Sequence, residues 1–227
     1  MDGYRHENKY FINQAGYQML RTRLQAMLET DSHIVHSDGR YMIRSLYFDD
    51  YNQSGLLDKV EGLENREKFR IRFYDMDDSF IRLEAKQKFG KMTRKLSAPL
   101  TRTQTEQILA GDLWPLYDAG KDQPLLRSFY LKSRTKVLRP SVIVDYYREA
   151  YVFLDVRITF DMDLQSGNYV TDLFRTDIRT IPVFPSDRMI LEVKFDDALP
   201  NPVRQLLKPL RATRSAISKY ELCRQYQ

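Results

Sequence analysis

A single cysteine, Cys223, is all that 227 residues contain. No disulfide within the chain is therefore available, and a reducing compartment is the simpler setting. Cys223 reads as a small apolar side chain near the last helical stretch. Apolar runs of the roughly 18 residues that cross a bilayer as a helix are missing, and the opening MDGYRHENKYFI carries no charged-then-apolar leader. The expectation is a soluble, unprocessed, cytoplasmic protein. Glycine and proline number nine each and fall singly, as at Asp38-Gly39, Phe89-Gly90 and Ser166-Gly167, which argues against a flexible linker. There is no repeat, no P-loop and no other glycine-rich phosphate cradle. The histidines His6, His33 and His36 have no metal-ligand spacing with one another or with Cys223, and they read as structural.

What is present is charge and alternation. A hydrophobic fraction of 42% suits one sizeable core, so a single domain over residues 1–227 is expected. The net charge of +5 favours anionic partners only weakly, and the 30% charged fraction matters more for where it sits. Patterning predicts strands over 4–12, 41–49, 66–75, 79–88, 91–98, 141–148, 151–161 and 188–195. Helices are predicted over 14–28, after Thr101 with a Thr103–Glu106 capping box, and over 124–136, 202–210 and 215–226. Many short-turn strands with helices between them point to an antiparallel sheet or barrel flanked by helices, an α+β fold.

Alternate residues of a strand share a face. Arg66, Lys68, Arg70 and Arg72 therefore stand together, opposite Glu67, Phe69, Ile71 and Phe73. Arg82, Glu84, Lys86 and Lys88 oppose Ile81, Leu83 and Ala85; Arg5, Glu7 and Lys9 form a third set, with His6 facing away; Glu192 and Lys194 oppose Leu191, Val193 and Phe195. Any one of these is an ordinary amphipathic strand with a solvated charged face. Together they crowd like charges that need water or an anion to screen them. Turned inward, they would line a polar lumen suited to a polyanion, with Arg forks and Lys charges for phosphate oxygens and carboxylates for a metal.

The strings Arg5-His6-Glu7-Asn8-Lys9-Tyr10, Ser45-Leu46-Tyr47-Phe48-Asp49, Lys68-Phe69-Arg70-Ile71-Arg72-Phe73-Tyr74, Leu83-Glu84-Ala85-Lys86, Leu191-Glu192-Val193-Lys194 and Ser218-Lys219-Tyr220 resemble, in order, the VTC domain. That domain is the polyphosphate-polymerase branch of the triphosphate tunnel metalloenzymes, the CYTH-like superfamily. The resemblance implies an antiparallel β-barrel tunnel with a charged lumen, and transfer of the γ-phosphate of ATP onto a growing polyphosphate with a divalent metal, manganese or magnesium. It implies that Lys9, Arg70, Arg72, Lys86, Arg148 and Lys219 grip the triphosphate. Glu192 resembles the metal-binding glutamate, with Glu7 and Glu84 as further acids. Arg157 resembles a tunnel arginine, and Lys91, Arg94 and Lys95 would line a mouth.

Two departures stand out. The superfamily opens with Glu-x-Glu-x-Lys, where this chain has Arg5 and keeps Glu7 and Lys9. Polymerase relatives carry a second cation one helical turn before the lysine matching Lys219, where this chain has Ala216, with Arg214 as the candidate substitute. The expected partners are ATP or triphosphate and polyphosphate, with room for a membrane-protein partner. Alternatives are a metal-dependent triphosphatase and a non-catalytic polyphosphate-binding module. Acids interleaved on the basic faces argue against nucleic acid.

Overall fold

The computed structural model describes residues 4–30, 39–90, 92–168 and 170–225. Along them run β1 (Tyr4–Asn13), α1 (Gln14–Gln25), β2 (Glu29–Thr30), β3 (Tyr41–Asp49), α2 (Ser54–Val60), β4 (Asn65–Tyr74), β5 (Asp77–Phe89), β6 (Met92–Leu100), α3 (Arg102–Leu109), α4 (Trp114–Ala119) and α5 (Pro124–Thr135). There follow β7 (Arg139–Phe153), β8 (Val156–Gly167), β9 (Thr180–Pro182), β10 (Arg188–Phe195), α6 (Asn201–Leu207) and α7 (Lys219–Arg224). Among the described residues no helix is long and apolar enough to cross a membrane.

The sheet order is β2-β7-β3-β4-β5-β6-β1-β10-β8-β9, and β7 also pairs with β8. That last pairing closes a ring: β7, β3, β4, β5, β6, β1, β10, β8 and back to β7, antiparallel throughout. The fold is α+β, an antiparallel ring around a charged interior, with α1 and α3 to α6 packed outside and α7 turning Lys219, Tyr220 and Cys223 inward.

One seam is short. β1 meets β6 only at Tyr4↔Arg94 and Arg5↔Thr93. Farther along β1, residues 214–217 lie beside it. Tyr10 bridges Arg214, the Ser215 N–H donates to the Lys9 carbonyl at 2.9 Å, and Lys9 Nζ donates to the Ile217 carbonyl at 3.0 Å. Paired to β1 in this way, Arg214 and Ser215 stay out of helix, so the last helix starts at Lys219 and not at the expected 215.

Alternation sorts the ring. Outward, Phe69, Ile71, Phe73, Ile81, Leu83, Ala85, Ala98 and Leu100 pack under Ile108 of α3, Leu116 of α4 and Leu125, Leu126 and Phe129 of α5. On the other flank Ile12, Ile158, Phe160, Leu191 and Val193 pack under Tyr17, Leu20 and Leu24 of α1 and Val203 and Leu206 of α6. Each fully buried Leu, Ile or Phe contributes about 1.5–3 kcal/mol, so the outer shell holds the ring and frees the inner face for polar work.

The interior is not charged throughout, which corrects the expectation of a wholly polar lumen. Tyr41, Ile43, Tyr47, Val142, Val144, Tyr146, Leu164 and Ile190 form an inner apolar cluster with Ile217, Tyr220 and Cys223. Leu164 reaches it because the register between β7 and β8 shifts at Asp145/Tyr147 and Asp163 adopts φ 51°. This bulge lets Asp161 and Leu164 both face inward.

Other local expectations shift. Ser166-Gly167 ends a strand and is not a turn. The capping box is Thr101 with Gln104, not Thr103 with Glu106. β7 and β8 form one long hairpin turning at Leu154, φ 53°, so residues 151–153 belong to β7. α1 stops at Gln25, leaving Met27 exposed. His33 and His36 lie outside the described residues.

Candidate functional site

The cations predicted by alternation do converge, and four carboxylates hold them in place. On β4, Arg70 Nε and Nη2 reach Glu84 Oε2 at 2.7 and 2.6 Å, and Nη1 donates to the Tyr47 hydroxyl at 2.9 Å. Arg72 donates to Ser45 Oγ and the Tyr146 hydroxyl, each at 3.0 Å. Lys95 on β6 takes the other Glu84 oxygen at 2.9 Å. Burial would raise the Glu84 carboxyl, but Arg70, Arg72 and Lys95 outweigh it and hold it well below the usual range.

Glu7 on β1 forms the second node. Its Oε2 accepts from Lys86 Nζ at 2.7 Å and lies 3.7 Å from Lys9 Nζ; Oε1 lies 3.6 Å from Lys194 Nζ and is buried without a hydrogen-bond partner. Burial would lower the Lys9 ammonium, yet Glu7 and Glu192 raise it above its ordinary value. For Lys86 the balance reverses: burial, with help from Lys9 and Lys194, overrides Glu7 and Glu192 and pulls it down to about 8.

The third node joins Glu192 on β10 and Asp161 on β8. Arg148 grips Asp161 with both arms of its fork, Nε to Oδ1 at 2.6 Å and Nη2 to Oδ2 at 2.9 Å. Lys219, the first residue of α7, reaches Asp161 Oδ2 at 2.5 Å. Glu192 lies 3.1 Å from Lys194, 3.8 Å from Arg148 and 3.9 Å from Lys219. Burial would raise Glu192, but Lys194, Lys9 and Lys219 keep it well below the carboxylate range; Arg148 and Lys219 likewise bring Asp161 to about 2 against its burial. Arg148, Arg72 and Lys219 also pull the buried Tyr146 hydroxyl below its ordinary value.

Of the predicted gripping residues, Lys9, Arg70, Arg72, Lys86, Arg148 and Lys219 share this network. Arg157 faces the same interior and donates to the Tyr41 hydroxyl at 3.0 Å, and Lys95 joins through Glu84. Arg94 does not: it pairs with Gln87 on the opposite face from Lys86 and Lys95 and stacks over Tyr4 on the outside. Arg214 is exposed beside β1, and adds a little to the lowering of the Lys88 ammonium that burial and Arg66 produce. Lys91 lies outside the described residues. His6 stacks on Phe195 on the outer face.

The three predicted metal acids separate. Glu84 has both oxygens committed to Arg70 and Lys95 and belongs to the cationic wall. Glu7 and Glu192 lie close enough for each to shift the other, and Glu7 keeps an unpartnered oxygen. Among the described residues no three His, Cys, Asp or Glu side chains are grouped to hold a metal alone. Two hard oxygen donors beside a wall of lysines and arginines do fit magnesium or manganese, which keep waters and substrate oxygens in their shell. Asp161 was not singled out from the sequence. Its signal was available, since Asp161 and Arg157 are four residues apart on one strand and so share a face.

A family model described as the VTC domain matches residues 4–226. No curated protein matches. Among solved structures, HpAC1 from Hippeastrum, described as an adenylyl cyclase candidate with a dominant triphosphatase activity, superposes with TM-score 0.57 at 11% identity, over 99% of this chain and 96% of that one. An adenylate cyclase candidate from Bacillus halodurans gives 0.53 at 12% identity over 95% of both chains. A third, from Vibrio parahaemolyticus, gives 0.52 at 8% identity over 98% of each. These likenesses speak to the fold.

Proposed function

The chain belongs to the VTC domain family, and from that premise we propose that it is a divalent-metal-dependent enzyme of triphosphates that transfers the γ-phosphate of ATP to a growing polyphosphate. The observation that carries this reading is the convergence of Lys9, Arg70, Arg72, Lys86, Arg148 and Lys219 on one interior, each held by a carboxylate or hydroxyl that a phosphate oxygen can replace.

Phosphoryl transfer needs positioning and charge neutralisation more than a protein nucleophile. Arg70, Arg72, Lys86 and Arg148 would clamp the triphosphate, and Lys9 and Lys219 would fix its end. A terminal phosphate oxygen of the acceptor forms the new P–O bond as the bond from the γ-phosphorus to the bridging oxygen breaks and ADP leaves. Glu192 and Glu7 would hold the ion, which when bound neutralises phosphate charge. With the phosphates gripped by side chains, base selectivity should be weak. A cytoplasmic location belongs to the same proposal.

The same interior suits water as acceptor, and the triphosphatase described for the Hippeastrum relative favours that second reading. Incubating the pure protein with ATP and manganese and resolving products on a gel separates the two. Long chains support the polymerase; orthophosphate alone overturns it in favour of hydrolysis; binding of tripolyphosphate with no turnover leaves a binding module.

A further inference from the structure

Among the described residues, Thr159 is a buried lumen side chain whose chemistry the network leaves unused. It is 2% exposed, and its hydroxyl oxygen is buried without a hydrogen-bond partner. It stands directly opposite Glu192 on β10 and Ala150 on β7. Ile158 and Phe160 on either side of it pack outward, so the Thr159 side chain faces the interior between Arg157 and Asp161. Directly opposed residues of an antiparallel pair have Cβ atoms about 5 Å apart, which puts the Thr159 and Glu192 side chains next to each other on the inner face.

A buried hydroxyl with no partner is costly and is rarely tolerated unless something else satisfies it. What could do so is limited by the surroundings. Asp161, two positions along β8, and Glu192, across the strand pair, are its buried polar neighbours on the inner face, so a group that reaches the hydroxyl there is one that carboxylates can hold. A water bound to a cation meets that condition, because the cation sits on the carboxylate, the water donates hydrogen bonds, and the Thr159 oxygen is a free acceptor. Ala150, opposite on β7, sets only a methyl group on the third side. Glu7 Oε1 is a second orphaned buried oxygen on the same metal-side corner.

We propose that Thr159 is a positioning residue that accepts a hydrogen bond from a water in the coordination shell of the divalent ion on Glu192. The inference rests on the reading of Glu192 as the ion's carboxylate. Partners of this kind orient a metal's ligands, and their loss typically weakens metal binding about 10–100-fold.

The test is manganese binding by the full chain without nucleotide, followed by electron paramagnetic resonance of the free ion, for wild type, Thr159→Val, Thr159→Ser and Glu192→Gln. Thr159→Val should bind manganese at least about tenfold more weakly, Thr159→Ser within about threefold of wild type, and Glu192→Gln not measurably. In chelator, Thr159→Val should melt no lower than wild type, since it removes an unsatisfied hydroxyl while keeping its shape, and should bind tripolyphosphate unchanged. Wild-type manganese affinity in Thr159→Val overturns the proposal alone, as does a lowered melting temperature in chelator, which marks a structural role. Equal binding by Glu192→Gln and wild type, or no binding by wild type, overturns the reading of Glu192 and the proposal with it.

Discussion

The Tyr220 hydroxyl donates to Asp49 Oδ2 across 171 positions of the chain, tying the first turn of α7 to the end of β3. Asp49 Oδ1 meanwhile accepts from the Asp50 and Gly55 N–H groups, so the carboxylate is a fixed post. Lys219, one residue before Tyr220, is thereby aimed at Asp161. Removing the hydroxyl in Tyr220→Phe leaves Asp49 one donor short and should cost about 1–3 kcal/mol in urea unfolding. Tripolyphosphate affinity, read by calorimetry, should fall several-fold because Lys219 loses its anchor. Unchanged affinity would show that α7 is placed by apolar packing alone.

Asp161→Asn removes the carboxylate that both Arg148 and Lys219 share. Two buried cations then face each other, and breaking such a pair typically costs about 3–5 kcal/mol. A polyanion supplies the missing charge, so tripolyphosphate should raise the melting temperature of this variant more than that of wild type. An equal rise in both would mean that the anion binds elsewhere.

The Lys86 ammonium, pulled down to about 8 by burial, gives a pH signature with a definite sign. Below that value the folded protein holds a charged Lys86 at a cost. Between about 8 and the ordinary lysine value of 10.5 the unfolded chain keeps the proton and the folded chain releases it, so this group's contribution to stability rises with pH across that window. Anion affinity moves the other way: metal-free tripolyphosphate binding should weaken as pH climbs above about 8. Lys86→Arg, which stays charged, should flatten the affinity profile. A wild-type profile that is already flat would remove Lys86 from the grip.

Glu84→Gln and Glu192→Gln should differ in kind. Glu84 neutralises Arg70 and Lys95, so its loss should cost about 3 kcal/mol of stability and leave manganese affinity intact. Glu192→Gln should abolish turnover while tripolyphosphate still binds. Calorimetric unfolding and a manganese titration check both; equal manganese loss in the two would return Glu84 to the metal corner.

The charged faces were legible because a strand's period is two and each basic run was long enough to show it. Phe69, Ile71 and Phe73 opposite Lys68, Arg70 and Arg72 left one way to turn β4. The sorting of acids was not legible. Glu84 and Glu192 look alike in sequence, and only cross-strand neighbours, Ser97 and Arg70 against Thr159 and Lys9, give one to the wall and the other to the corner. Arg94 was misplaced because Lys91, Arg94 and Lys95 form a charge run that ignores alternation, and Lys95 takes the inner face. In the inner apolar cluster, Leu164 was hidden by the bulge at Asp163, which breaks the period. Nor could the sequence reveal that Glu149, between Arg148 and Ala150, points outward to accept from Tyr17 at 2.6 Å and Arg21 at 2.9 Å. Sequence spacing cannot show a partner more than 120 residues away.

The short seam between β1 and β6 bears on the order of folding. Lys9 is held by the backbone of residues 215 and 217, a contact between β1 and a segment 208 positions away, and such non-local closure is slow. During synthesis β1 emerges first and waits, its Glu7 and Lys9 still hydrated, until residues 214–220 leave the ribosome. The outer apolar clusters over β4 to β6 can assemble earlier from nearby sequence. Sealing the interior is therefore a late event, and slowing the emergence of residues 214–220 should prolong an open, protease-sensitive sheet without altering the folded ring.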